Sequence, residues 1–151
     1  MNSNSIIYPI ILPFFIAIIL LIWRRPSNIR RIFVTICSVL VFILCLCLTK
    51  SVYDNGLQVL KLGGWAAPYG IALTIDLLSG IMLSLSSFVA ICTNLYGFAD
   101  VSSKDEHPLR MPLMFFLLSG IHMSFLTADL FNLFVSFEVM LISSYALLTL
   151  E

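Results

Sequence analysis

The stretch LFNLFVSFEVMLISSYALLTL, residues 130–150, is twenty-one residues long and holds one side chain that is charged at neutral pH, Glu138. Eight residues precede that glutamate and twelve follow it. About 20 predominantly apolar residues suffice to carry a helix across the hydrocarbon core of a bilayer. The stretch therefore reads as a spanning helix with a carboxylic acid near its middle. An ionised group at that depth costs from about 2.5 to more than 10 kcal/mol, depending on how the transfer is measured. Glu138 is thus expected either to be protonated or to face a basic group or water, and either state lets it exchange a proton. The residues three and four positions away on its own helix are Phe134, Val135, Leu141 and Ile142, with Tyr145 two turns on. None of these can neutralise it, so a basic partner has to come from another helix.

The rest of the chain agrees with a membrane setting. Its 151 residues are 60% hydrophobic and 11% charged, with mean hydropathy +1.06. Soluble domains carry about a quarter charged residues, and one this small needs a large polar exterior. Four further apolar runs, 6–23, 32–49, 77–99 and 111–128, join 130–150 to predict an all-α membrane protein of five transmembrane helices. The first run lacks a basic segment before it, and its arginines come after it, so an uncleaved helix is expected rather than a secretory signal. Arg24, Arg25, Arg30 and Arg31 crowd the first connection. By the positive-inside rule that loop is cytoplasmic, the N-terminus lies outside, and the chain reaches Glu151 on the cytoplasmic side.

The connections differ in character. Residues 54–76, DNGLQVLKLGGWAAPYGIALTID, place short apolar runs on either side of Gly63-Gly64 and Pro68-Tyr69-Gly70, which predicts a small hairpin between helices 2 and 3, outside the membrane. Trp65 and Tyr69 are expected at headgroup level. The inner loop DVSSKDEHPLR, 100–110, reads as a solvated connector with His107 on the surface. Asp76 and Asp129 precede apolar helices and read as N-caps. Ser79, Gly80, Ser84, Ser86 and Ser87 give the third helix a close-packing surface. His122 is the one titratable base at membrane depth, about two-thirds along its helix and at a depth comparable with Glu138. It reads either as an interhelical hydrogen-bond former or as a weak partner for that acid. The four cysteines, Cys37, Cys45, Cys47 and Cys92, lie in apolar runs with no C-x-x-C spacing and read as reduced packing residues. Zero net charge, no basic stripe, no phosphate-binding glycine pattern and no nucleophile–base spacing argue against nucleic acid, a nucleotide cofactor or an enzyme site.

LTADLFNLFVSFEVMLISSYALL, 126–148, resembles the fourth-to-fifth helix region of the proton-translocating subunits shared by respiratory complex I and Mrp-type cation/proton antiporters. VLKLGGWAAPYGIAL, 59–73, resembles the outer loop of the D-type subunits of the Mrp Na+/H+ antiporters, and the likeness extends along the whole chain. The resemblance implies that Glu138 is the helix-five glutamate needed for proton movement, paired in the family with a lysine on a broken seventh helix. Asp129 matches an acidic residue at the outer start of helix five, and His122 matches no family motif. Thr127-Ala128-Asp129 stands where the family often has Thr-Gly-Asp, and Ser136 where it often has the first of two phenylalanines. Family members run to about fourteen helices, so the resemblance implies that residues 1–151 form the N-terminal membrane segment of a larger subunit and do not transport alone. It further implies antiport of Na+ against H+ at the cell membrane, no cofactor or metal, and partner subunits of a multi-subunit complex. A proton-pumping subunit of an NADH-quinone oxidoreductase or membrane hydrogenase is the alternative, and a non-transporting helical scaffold the second.

Overall fold

The computed structural model describes residues 3–23, 25, 27–62, 70–102 and 106–150. A 3-10 turn, Ser3–Ile7, leads into α1, Tyr8–Ile22. Then come α2 (Asn28–Asn55), β1 (Gln58–Lys61), β2 (Ala72–Ile75), α3 (Leu77–Asp100), α4 (Arg110–Leu126) and α5 (Leu130–Leu148). Four of these segments are long and apolar enough to cross a membrane, and α4, with 17 residues, is a shorter apolar helix. The fold is that of an all-α, multi-pass membrane protein with a two-stranded appendage.

Burial is sorted as a hydrocarbon environment demands. On α5 the buried residues are Asn132, Ser136 and Ser143, while Phe131, Phe134, Ile142, Tyr145 and Leu148 are each more than half exposed. A helix in water would show the reverse pattern. Small side chains let neighbours close in, which drives packing where lipid removes the hydrophobic incentive. A Cβ on Gly120 would stand 2.8 Å from Met140 Cγ and 3.2 Å from the Ser136 carbonyl oxygen, so α4 and α5 meet almost backbone to backbone. Gly80 does the same for α3 against Thr49 of α2, whose hydroxyl donates to the Gly80 carbonyl at 2.8 Å.

At one end of the bundle the C-termini of α1 and α3 meet the N-termini of α2 and α4. Here the structure departs from the sequence reading. The helix expected over 32–49 runs from Asn28 to Asn55, with Ser27 as its N-cap, so Arg30 and Arg31 lie in its first turn and not in a loop. Both act as C-caps for neighbouring helices. Arg30, 1% exposed, donates through Nη2 to the Leu20 carbonyl near the end of α1 and to the Pro108 carbonyl. Arg31 donates to the Phe98 and Val101 carbonyls at the end of α3, and Arg110 donates to the Gly97 carbonyl. Cations at the carbonyl ends of helices answer both the macrodipole and the orphan acceptors. Nor is loop 100–110 a simple solvated connector. Glu106 is 4% exposed and bridges Arg31 Nε at 2.9 Å and Arg110 Nη1 at 3.4 Å. A buried carboxylate between two guanidinium groups is what lets the loop tuck under the bundle. His107 is exposed, as the sequence suggests.

The other end carries the hairpin. β1 pairs antiparallel with β2 in the register Gln58↔Ile75, Val59↔Thr74, Leu60↔Leu73 and Lys61↔Ala72. Its turn, with Trp65 and Tyr69, lies outside the described residues. Leu60, Leu73 and Ile75 are buried together with Ile6 of the first turn. β2 also reaches the α4–α5 turn, through a bridge from Leu73 to Thr127 and a bond from Ala128 N to the Ala72 carbonyl at 3.0 Å. The remaining helix ends shift by a few residues at most: α4 ends at Leu126 where 128 was expected, and α5 at Leu148 where 150 was.

Asp76 caps α3 by accepting from Ser79 N at 2.7 Å. That backbone bond, with the Ser79 hydroxyl, holds its carboxyl below the ordinary 3.8. The folded pKa lies below the unfolded one, so the cap's contribution is complete above the ordinary value and is lost as pH falls through the depressed one. Replacing Asp76 by Ala is expected to lower stability by about 1 kcal/mol at neutral pH. Thermal unfolding in detergent should show that gap narrowing as pH falls below the ordinary carboxylate range.

Candidate functional site

Two ionisable groups lie at membrane depth, Glu138 and His122, and the sequence reading gave His122 either an interhelical hydrogen bond or a weak pairing with that acid. The structure separates them.

Glu138 is the ninth of the nineteen residues of α5. α5 packs chiefly on α4, and its contact stripe is Asn132, Ser136 and Ser143. Glu138 is exposed on the face that looks away from the bundle, among Phe134, Phe137, Leu141 and Ile142. Among the described residues its carboxylate meets no donor or cation, because both ion pairs there belong to Glu106. The five helices thus present a mid-helix acid on an open apolar face.

His122 points the other way and does not pair with Glu138. It is completely buried between α1, α3 and α4. Its Nδ1 stands 2.8 Å from the Pro9 carbonyl oxygen and its Nε2 3.1 Å from Ser87 Oγ. A local rule explains why α1 offers that carbonyl. In an α-helix the carbonyl of residue 9 accepts from the N–H of residue 13, and residue 13 is a proline, which has none. His122 Nδ1 supplies the missing donor. Three residues earlier on α4, Ser119 donates to the neighbouring Ile10 carbonyl at 2.9 Å, so α4 clasps α1 beside its internal proline. The carbonyl can only accept, so Nδ1 carries the ring proton. In a neutral ring Nε2 then accepts from the Ser87 hydroxyl. That hydroxyl also lies 2.7 Å from the Leu83 carbonyl and 3.3 Å from Cys45 Sγ. The two histidine bonds join α1, α3 and α4, and Cys45 adds α2. The sequence marked His122 but not its partners; the signal that would have found them is the Pro9-to-Pro13 spacing, which leaves one carbonyl without its helical donor.

Asp129 behaves as the expected N-cap, accepting from Phe131 N at 3.3 Å and Asn132 N at 3.4 Å. Thr127 supports it: its hydroxyl accepts from Asp129 N and from Asn132 Nδ2. Among the described residues no group of three or more His, Cys, Asp or Glu side chains is placed to hold a metal ion. Cys37 and Cys45 are buried, Cys47 and Cys92 exposed, and all four are free thiols.

The fold and these groups define a multi-pass helical membrane protein with an ionisable residue at membrane depth. Similarity to known proteins narrows this. Over 98% of its length the chain is 40% identical to the D subunit of the Na(+)/H(+) antiporter of Alkalihalophilus pseudofirmus, of which it covers 30%. The fold is similar to a chain of the membrane-bound sulfane sulfur reductase, an archaeal respiratory membrane complex, with a TM-score of 0.87 at 26% identity, covering 96% of this chain and 30% of that one. It is similar as well to a chain of the Mrp complex from Dietzia sp., with a TM-score of 0.85 at 23% identity, covering 95% of this chain and 26% of that one. No family model matches the chain.

If His122 Nδ1 fills the vacancy left by Pro13, the two positions must be coupled. His122→Leu is expected to cost about 1–3 kcal/mol, the penalty for leaving a buried acceptor unmatched. Pro13→Ala restores a donor for the Pro9 carbonyl, so in that background the same change should cost measurably less. Detergent unfolding of the four proteins of this double-mutant cycle gives the coupling; strict additivity would contradict the clasp.

Proposed function

We propose that the chain is the N-terminal membrane segment of a D-type subunit of an Mrp Na+/H+ antiporter, and that Glu138 is its proton-carrying group. The observation that carries this reading is the acid's position: midway along a spanning helix, on a face the five helices leave open. The chain spans 30% of the length of its relative, and in this reading the remaining helices of the whole protein cover that face and bring the base the acid needs. A proton taken up by Glu138 is then released when the neighbouring positive charge moves closer, by Coulomb coupling. Outward movement of Na+ is coupled to inward movement of H+ in the assembled complex with its other subunits.

Asp129 and His122 have supporting roles. Asp129 fixes the hairpin end of α5, and His122 holds the bundle against which α5 rests. The arginine-rich end lies in the cytoplasm and the hairpin outside, at a cell membrane. The chain is thus part of a transporter and not an enzyme. The likeness to a chain of a respiratory complex supports a second reading, in which the same glutamate serves redox-driven proton pumping.

The test is antiport in everted vesicles from antiporter-deficient cells that express the chain with the remaining helices and subunits of such a complex. Glu138→Gln keeps the shape and hydrogen bonding but cannot carry a proton, so it is expected to reduce Na+-dependent proton exchange to background, while Glu138→Asp keeps part of it. Full exchange by the Gln variant would leave α5 as a scaffold. Proton movement that follows an electron donor and ignores Na+ would favour the second reading.

A further inference from the structure

At the arginine-rich end a groove of about 370 Å³ opens between α2 and α3. Its lining is graded. Asn28, Arg31 and Thr35 supply polar groups, and Ile32, Ile36 and Phe98 supply an apolar trough. Asn28, Ile32 and Ile36 follow one another at four-residue spacing along α2, so they form one ridge parallel to the helix axis. That ridge faces outward: Ile32 is 59% and Ile36 54% exposed. Deeper along the same two helices the Phe42 and Phe88 rings meet at 6.0 Å.

The polar end of the groove sits in an excess of positive charge. Among the described residues Arg30, Arg31 and Arg110 gather round one buried carboxylate, Glu106. Over the wider end, segments 23–31 and 100–110 contain six basic and three acidic residues. The opposite connections, 50–76 and 127–129, contain two basic and three acidic ones. Arg31 is held in place by Glu106, by two carbonyls and by the Phe98 ring, 5.2 Å from its guanidinium carbon. A guanidinium has five N–H groups, and among the described residues three of those of Arg31 are used. Arg25 is exposed on the adjoining loop. An oriented cation above an apolar trough that begins at headgroup level matches one kind of occupant. We propose that this groove is a binding site for an anionic phospholipid, with the phosphate at Asn28 and Arg31 and an acyl chain along Ile32, Ile36 and Phe98. Basic pockets between transmembrane helices on the positive side are suited to such headgroups. The site lies on the α2–α3 side of the bundle and does not depend on what Glu138 does.

Native mass spectrometry of the 151-residue chain in detergent tests this, with dioleoylphosphatidylglycerol, dioleoylphosphatidylcholine and inorganic phosphate as separate probes. One phosphatidylglycerol is expected to bind several-fold more tightly than phosphatidylcholine, and phosphate at equal concentration neither binds nor displaces it. Asn28→Glu sets a negative charge at the head of the groove, at a helix N-terminus that tolerates acids. It should cut the phosphatidylglycerol preference about fivefold and leave phosphatidylcholine binding unchanged, whereas Asn28→Gln keeps the preference. Thr35→Trp, which fills the trough, should weaken both lipids while far-ultraviolet circular dichroism stays constant. Equal retention of the two lipids by the unmodified chain would overturn the proposal, as would an unchanged preference in Asn28→Glu. Displacement by free phosphate would reduce it to an ion site, and a dimer broken by Asn28→Glu without lipid preference would make the groove a protein interface instead.

Discussion

Hydrocarbon supplies no hydrogen bonds, so a polar group at membrane depth in this chain needs an answer from inside the protein. Most receive one. The carbonyl stranded by Pro13 is met by His122, the His122 ring by Ser87, the Gly80 carbonyl by Thr49 as well as Ser84, and Asn94 by Ser38. In each case a different helix contributes, so satisfying the backbone and assembling the bundle are one process. The Glu138 carboxylate receives none among the described residues. Its helix turns small polar residues inward to touch α4 and leaves the acid outside. Among the described residues it is the acid at membrane depth that no hydrogen bond or ion pair answers.

The charged residues follow the same logic at the membrane surface. The arginines from which the sequence reading drew an orientation are here the C-caps of α1 and α3. Glu106 neutralises part of their charge and draws the connecting loop beneath the bundle. The side chains to which a rule of insertion was applied meet a rule of helix termination.

The apolar helices, the strand pair and the two aspartate caps were legible because each has a local signature: an uncharged run, apolar strands around glycines, an acid one residue before a helix. The extent of α2 was not. Four arginines within residues 24–31 look like a loop, and what makes two of them helical is tertiary: the carbonyls of α1 and α3 that they reach. Glu138 stood out by composition alone, but its outward direction could not be read without knowing which stripe of α5 meets α4. The suggested His122–Glu138 contact failed for a related reason. Similar depth says nothing about facing, and the acceptor left by Pro13 draws the imidazole toward α1.

The bond from Ala128 N to the Ala72 carbonyl ties the start of α5 to the hairpin, and no comparable strand holds its other end among the described residues. Mechanically α5 is a lever fixed at one side of the membrane. Were α5 to tilt against α4, it would turn about the strand end, and a group halfway along would travel about half as far as the free tip. With a rise of about 1.5 Å per residue, a swing of a few degrees shifts Glu138 by about 1 Å, enough to make or break one contact with whatever lies beside it.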